Sequence, residues 1–332
     1  MTEVSQSQPT VSVIIVSFNT RDLLRECLKS LNLRCHDIPK QVLVVDNVSR
    51  DGSPDMVERE FPDVELIRSD VNLGFAAANN RAFPLATGRY IVLLNSDAFL
   101  ESGALDRAIK YMDADARIGI GGARLIGRDG SWQPSARLFP SPLNDFLTLT
   151  GLAARYPRSR VFGRFDRTWA DPEETADVDW VPGAFSIVRK SALDKVGYFD
   201  ERFFLYYEEV DLCRRFKQAG YLVRYWHDVV VTHLGGESSK TVTELKFSPA
   251  GSQLALWRLR SEFLYYRKHS RLSGWLSKTA ESLWYRLRAR RNAARAGEQG
   301  TRRLHDSNLM ADLIRQAWRE TEGGTVCPPR PW

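Results

Sequence analysis

Two short stretches carry residue types able to do chemistry. In YIVLLNSDAFL (90–100) an apolar, β-branched run stops at Asn95-Ser96-Asp97. A lone carboxylate between small polar residues at a strand end is either an ordinary strand-to-loop transition or a group aimed at something that needs negative charge. In YYEEVDL (206–212) three acids, Glu208, Glu209 and Asp211, fall within four positions. If a helix starts near 208, its dipole favours acids in the first turn by a few tenths to about 1 kcal/mol each. Three carboxylates beside Tyr206 and Tyr207 exceed what that effect requires. Their mutual repulsion raises at least one pKa, as suits a general base. Asp211 also stands at helical spacing from Arg214 and Arg215, where it can form an ion pair instead.

The elements that must position these acids follow from periodicity. Apolar runs at 11–19, 41–47, 64–69, 90–94 and 118–125 read as strands. Between them, 21–31 shows Leu23, Leu24, Cys27, Leu28 and Leu31 at helical spacing; 53–61 opens on Ser53-Pro54, an N-cap followed by proline at the first helical position. Helices are also expected over 74–86 and 102–112. This alternation predicts an α/β fold, a mostly parallel sheet with helices on both faces, whose ligands bind beyond the carboxyl ends of the strands. Three of those ends are polar: Ser17-Phe18-Asn19, Asp46-Asn47 and Asn95-Ser96-Asp97. Three on one rim describe a site.

From 130 to 178 Pro, Arg and aromatics alternate without a period, predicting loops over the sheet. Order returns at 178–221 with a turn at Pro182-Gly183, a strand, a short helix and the acidic helix; 221–236 reads as two more strands.

The 332 residues are 43% hydrophobic and 27% charged, ordinary for a globular chain. No apolar run reaches the 18 or so residues that span a bilayer. The polar start lacks the basic and apolar regions of a signal peptide. The four cysteines show no Cys-x-x-Cys spacing, which predicts free thiols and no zinc site. The net charge of +6 is uneven: residues 254–303 hold 13 Lys and Arg against 3 Glu, leaving the remainder net acidic.

In this order VSFN (16–19), VVDNVSRDGS (44–53), NLGFAAANN (72–80), LLNSD (93–97), WVPGAF (180–185), GYFDERFFLYYEEVDLCRR (197–215) and HLGGESS (233–239) resemble the inverting family 2 glycosyltransferases of GT-A fold, in particular the bacterial polysaccharide rhamnosyltransferases. The resemblance covers roughly residues 11–240. It implies a nucleotide-sugar donor, a glycan or lipid-linked saccharide acceptor and a divalent cation, Mg²⁺ or Mn²⁺. For the donor it implies Asp46 accepting a pyrimidine imide N–H, walled by Ser17, Phe18 and Asn19. Asn47, Ser49, Asp51, Asn72, Gly74 and Asn79 lie in the same motifs, as do Asn95 and Ser96. For the metal it implies Asp97, with His233 as second ligand or diphosphate contact. Asn95 stands where many GT-A enzymes have the first acid of a D-x-D pair, which leaves the metal fewer protein charges. Glu209 aligns with the base position usually held by Asp; Glu208 and Asp211 stay open as alternatives. Trp180 and Gly183 would face the acceptor, and Arg137 the acceptor or diphosphate. The donor expected is dTDP-L-rhamnose, with UDP-galactose, UDP-GlcNAc and GDP-mannose open. A nucleotidyltransferase would want a basic Gly-rich loop after the first strand, which SFNTRDLL does not supply. A catalytically inactive scaffold should lack Asp97 or the acid cluster.

The expected organisation is a GT-A domain over 1–245 (nucleotide half 11–125, acceptor half 126–245), a basic helical extension over 246–322 and a loose tail over 323–332. Within the extension, Leu272, Leu276, Leu283 and Leu287 recur near helical spacing beside Trp275 and Trp284, with Arg and Lys alongside. Residues 254–291 therefore read as a surface for an anionic membrane, placing the chain peripherally on its cytoplasmic face. No nucleic-acid signature is present, and oligomeric state is unspecified.

Overall fold

The computed structural model describes residues 9–235, 250–294 and 297–330. The first half alternates as the periodicities require: β1 (Val11–Ser17), α1 (Arg21–Arg34), β2 (Lys40–Asp46), α2 (Ser53–Glu60), β3 (Glu65–Arg68), α3 (Gly74–Ala82) and β4 (Tyr90–Asn95). A short β5 (Ala98–Leu100), α4 (Ala104–Ala114) and β6 (Ile118–Ile126) follow. Then come β7 (Trp132–Gln133), α5 (Pro142–Leu149), α6 (Leu152–Arg155), β8 (Ala176–Asp177), β9 (Phe185–Arg189), α7 (Lys190–Val196), α8 (Glu208–Gln218) and β10 (Leu222–His233). Three C-terminal helices end the chain: α9 (Ala250–His269), α10 (Arg271–Ala293) and α11 (Glu298–Glu320).

One sheet runs in the order β3-β2-β1-β4-β9-β6-β10-β5, with β7 beside β6 and β8 beside β10. Strands β1 to β4 run parallel; β9 enters antiparallel between β4 and β6, and β5 pairs antiparallel with β10. Strand alternation feeds two cores. Val11, Val13 and Ile15 of β1 join Leu24, Met56 and Ala108 on one face, while Ile14 joins Ala76, Val210 and Leu264 on the other. Burying each such aliphatic side chain stabilises by roughly 1.5–3 kcal/mol. Covered on both faces, the inner strands read as continuous apolar runs.

Several expectations change. Residues 222–233 form a single strand whose register slips between Trp226 and Val230; this bulge mimics a break between two strands. Ser53 is not the cap but the first residue of α2: the N-cap is Gly52, in the left-handed conformation, and Asp51 before it accepts from the Ser53 N–H at 3.0 Å. The supposed loop 130–178 contains α5, capped by Ser141 and started by Pro142. Its Leu143 and Phe146 are exposed and Leu147 buried, so no apolar stripe announced it.

The extension is not a separate membrane-facing layer along its length. On α9, Leu264, Tyr265 and Tyr266 enter the second core, while Leu256, Leu259 and Phe263 pack on Leu313, Ile314 and Ala317 of α11. The exposed apolar side chains belong to α10. The tail is not loose as far as Arg330: Arg260 donates to the Pro329 carbonyl at 3.4 Å and Arg330 to that of Glu201 at 3.4 Å. The expected boundary at 245 and residues 236–239 of HLGGESS lie outside the described residues.

Candidate active site

Register places the polar strand ends side by side. Ser17 pairs with Asp46, and Asn95 follows the β1–β4 ladder opposite Val16. A hydroxyl chain joins them across the rim: Ser17 Oγ to Thr20 Oγ1 at 3.1 Å, and Thr20 to Ser96 Oγ at 2.9 Å. Most of the polar side chains here build the loops. Asn19, at φ +52°, accepts from the Arg50 N–H at 2.7 Å while its own N–H donates to Ser49 Oγ at 2.9 Å. Asp51 accepts from the Arg21 N–H at 2.7 Å. Asn47 accepts from the Leu73 N–H and donates to the Gly74 carbonyl, and Asn72 accepts from the Gly74 N–H. Gly74 has φ +75°, and a β-carbon there would strike the Phe204 carbonyl. That close approach, with the Phe75 N–H bonding to the same carbonyl at 2.8 Å, accounts for the glycine. Asn79 donates to Phe75 O within its own helix. Phe18 is half-buried at the end of β1.

Asp46 differs. Its Oδ2 accepts from the Ser49 N–H at 3.0 Å, but its buried Oδ1 has no partner, and burial holds its pKa above the usual carboxylate value. An unpaired buried acceptor is costly, so it marks a place where a ligand N–H fits.

Asp97 and His233 meet across the β5–β10 pair, His233 Nε2 lying 3.6 Å from Asp97 Oδ1. Gln133 fixes the imidazole. Its amide nitrogen donates to the His233 carbonyl at 2.8 Å, which turns its Oε1 to His233 Nδ1 at 3.0 Å. Nδ1 therefore carries the proton and Nε2 presents its lone pair; Nε2 is buried without a hydrogen-bond partner. Burial lowers the His233 pKa, opposed by Asp97, which keeps the ring a neutral ligand. One imidazole and one carboxylate fit a small divalent cation that draws its other ligands from diphosphate and water. No cluster of three or more His, Cys, Asp or Glu suited to a metal occurs among the described residues.

The three acids at the start of α8 separate by environment. Asp211, fully buried, is held by His269 at 2.7 Å, Lys268 at 2.8 Å and Arg215 at 2.9 Å. Burial alone would raise its pKa, but the His269 hydrogen bond and the Arg215 and Lys268 charges bring it below the usual value. Glu208 and Glu209 have no such partners, and each keeps a buried Oε2 without a hydrogen bond. Burial raises both pKa values, Glu208 far more, helped by the Glu209 charge; for Glu209 the Arg137 charge and the Gly183 N–H oppose the rise. Of the three, only Glu209 borders a cavity of about 450 Å³. Trp180 and Arg137 form another wall, the guanidinium 5.0 Å from the indole ring centre and 3.1 Å from Asp166. The indole N–H donates to the Leu138 carbonyl.

A short path links the two centres. Gly183 lies near enough to Glu209 for its N–H to oppose the rise in that carboxyl's pKa, and the next residue, Ala184, accepts from the Asn95 N–H at 3.1 Å. Tyr206 and Tyr207, at φ +71° and +69°, turn the chain sharply into α8. Two consecutive non-glycine residues in this region store about 1–3 kcal/mol each, a strain found where a side chain must be aimed. Gln133, and the cavity-lining Asp145, Arg258 and Glu281, belong to no sequence motif; they lie in the unpatterned loop and the extension.

Residues 12–197 match the family model described as glycosyl transferase family 2. The chain belongs to that family. It is 31% identical over 232 residues to the N-acetylglucosaminyl-diphospho-decaprenol L-rhamnosyltransferase of Mycobacterium tuberculosis, covering 67% of this chain and 75% of the relative. To Rhamnosyltransferase WbbL of Escherichia coli it is 26% identical over 276 residues, covering 79% and 95%. Among solved structures it is similar to the mannosyltransferase PcManGT from Pyrobaculum calidifontis in complex with GDP-Man and Mn²⁺, at TM-score 0.56 and 19% identity, covering 96% of this chain and 88% of that one. The family 2 chain is therefore a hexosyltransferase with the GT-A sheet expected of it.

Proposed function

We propose that this glycosyltransferase moves L-rhamnose from dTDP-L-rhamnose, with inversion, onto a saccharide carried by a polyprenyl diphosphate in cell-envelope polysaccharide synthesis. The observation that carries the mechanism is the Glu209 carboxylate on the cavity wall, whose Oε2 is buried without a hydrogen bond. Glu209 takes the proton of the acceptor hydroxyl as that oxygen bonds to the anomeric carbon. The bond from that carbon to the diphosphate oxygen breaks with its electron pair, leaving the nucleoside diphosphate. Asp46 Oδ1 accepts the imide N–H of thymine or uracil. Asp97 and His233 Nε2 would hold a divalent cation, which when bound neutralises charge on the leaving diphosphate. No covalent enzyme intermediate is required. The two rhamnosyltransferase relatives support the choice of sugar.

The membrane contact narrows to α10. Leu272, Trp275, Leu276, Leu283 and Leu287 are all exposed and fall within about a third of the helix circumference at 100° per residue. Arg271 and Lys278 flank them, and Arg286 lies among them. This face lies in the headgroup layer of an anionic membrane, peripherally and on the cytoplasmic side where nucleotide sugars are made. No helix among the described residues is long and apolar enough to cross a bilayer.

The test is a donor panel read by thermal stabilisation with and without Mn²⁺: dTDP-rhamnose, UDP-galactose, UDP-GlcNAc and GDP-mannose. Stabilisation by dTDP-rhamnose, lost in Asp46→Ala, is expected; stabilisation by none removes the donor site, and preference for another sugar removes rhamnose.

A further inference from the structure

We propose that the C-terminal helices supply an acceptor-sugar subsite to the cavity bordered by Glu209, with Glu281 of α10 as its hydrogen-bonding carboxylate. The proposal rests on the transferase reading above and names what the far side of the same cavity recognises.

Glu281 lines the cavity at 5% exposure. Its nearest cation, Arg258, stands 3.9 Å away, too far for a hydrogen bond, because that guanidinium is committed to Glu262 at 2.6 Å. Glu281 Oε2 is buried with no partner. The neighbouring Asp145 provides the contrast: it also lines the cavity, yet it accepts from Ser277 at 2.6 Å and from the Tyr266 hydroxyl. One carboxylate is satisfied by the fold, and the other is left for a ligand. A buried polar group without a partner costs free energy that a bound hydroxyl returns.

The cavity's charges state what that ligand is. Three carboxylates, Asp145, Glu209 and Glu281, face it against two guanidiniums, Arg137 and Arg258, each already paired with a carboxylate. With both guanidiniums already paired, such a lining of carboxyl groups suits the hydroxyls of a neutral sugar. The volume of about 450 Å³ lies within the range of small-ligand pockets. The terminal acceptor sugar sits inside, and the diphosphate of a lipid-linked acceptor lies outside. Burial pushes the Glu281 carboxyl up to about 7, against the opposing Arg258 charge, consistent with a group lacking a partner.

The test uses the full chain with Glu281→Ala and Glu281→Gln and two acceptor probes, N-acetylglucosaminyl-diphospho-farnesol and the uncharged octyl N-acetylglucosaminide. Loss of a hydrogen bond to a charged group predicts an acceptor KM raised about ten-fold or more for Glu281→Ala with both probes, kcat changing less. Glu281→Gln recovers part of it, and donor-induced stabilisation is retained in both variants. An unchanged KM, a penalty confined to the diphosphate probe, or turnover of neither probe by the unsubstituted chain overturns the subsite. Loss of donor-induced stabilisation together with acceptor binding also overturns it, since the residue is then structural. Absence of donor stabilisation in the unsubstituted chain instead removes the transferase reading itself.

Discussion

Asp211→Asn separates an anchor from a base. The native carboxylate is fully buried against two cations, Arg215 and Lys268, and the hydrogen-bonded His269 imidazole. Removing one side of a buried charge network typically costs about 3–5 kcal/mol, because the opposite charges are left uncompensated. Two of the three retain other support. Lys268 still reaches Asp200 at 2.8 Å, and Arg215 still donates to the carbonyls of Val196, Gly197 and Tyr198. The low end, about 3 kcal/mol, is therefore expected. Against a total of about 5–15 kcal/mol, that is a large fraction. Urea unfolding should show the midpoint falling with an unchanged slope, and transfer measured well below the transition should stay within a few-fold of normal. The pH dependence has a definite sign. Because the folded pKa is depressed, the stabilising contribution is present above the unfolded value near 3.9 and disappears as pH falls through the folded value. Asp211→Asn should therefore flatten the acid limb of the stability profile. A variant as stable as the native chain but with transfer reduced a hundred-fold or more would refute this reasoning and make Asp211 the base.

Glu209→Gln is expected to do the opposite, keeping stability and donor binding while lowering single-turnover transfer by about 10²–10⁴. With its pKa raised, transfer by the native chain should fall as pH drops through that raised value; a flat pH profile would point elsewhere. Gln133→Ala frees the His233 ring and should weaken Mn²⁺ affinity about 10–100-fold in a titration followed by donor-dependent stabilisation, and equal affinity would release His233 from the metal. Leu283→Asp with Leu287→Asp, on the exposed face of α10, should abolish co-sedimentation with phosphatidylglycerol vesicles while leaving the melting curve intact; binding unaffected by the pair would leave α10 without a membrane role.

The nucleotide half was legible because its chemistry is local. Every inner strand is buried on both faces and so reads as a continuous apolar run, and each strand end that reaches the rim breaks into polar residues within three positions. Asp46 and Asp97 could be singled out from that pattern alone. The sequence could not say which acid of 208–211 is left open, because an identical charge on one helical turn has its pKa set by what packs against it. Lys268 and His269 of α9, over fifty positions away, claim Asp211; Glu209 borders the cavity with its Oε2 unbonded. Nor could it show α5, whose partners on α10 are found only when the chain folds back: Ser277 reaches Asp145 from 132 positions downstream. Basic composition described residues 254–291 as one surface, whereas packing divided them, burying Leu264, Tyr265 and Tyr266 and exposing Leu272, Leu283 and Leu287. Periodicity records which residues seek an apolar neighbour, but only the tertiary structure decides which neighbour arrives and which polar atoms it leaves unpaired.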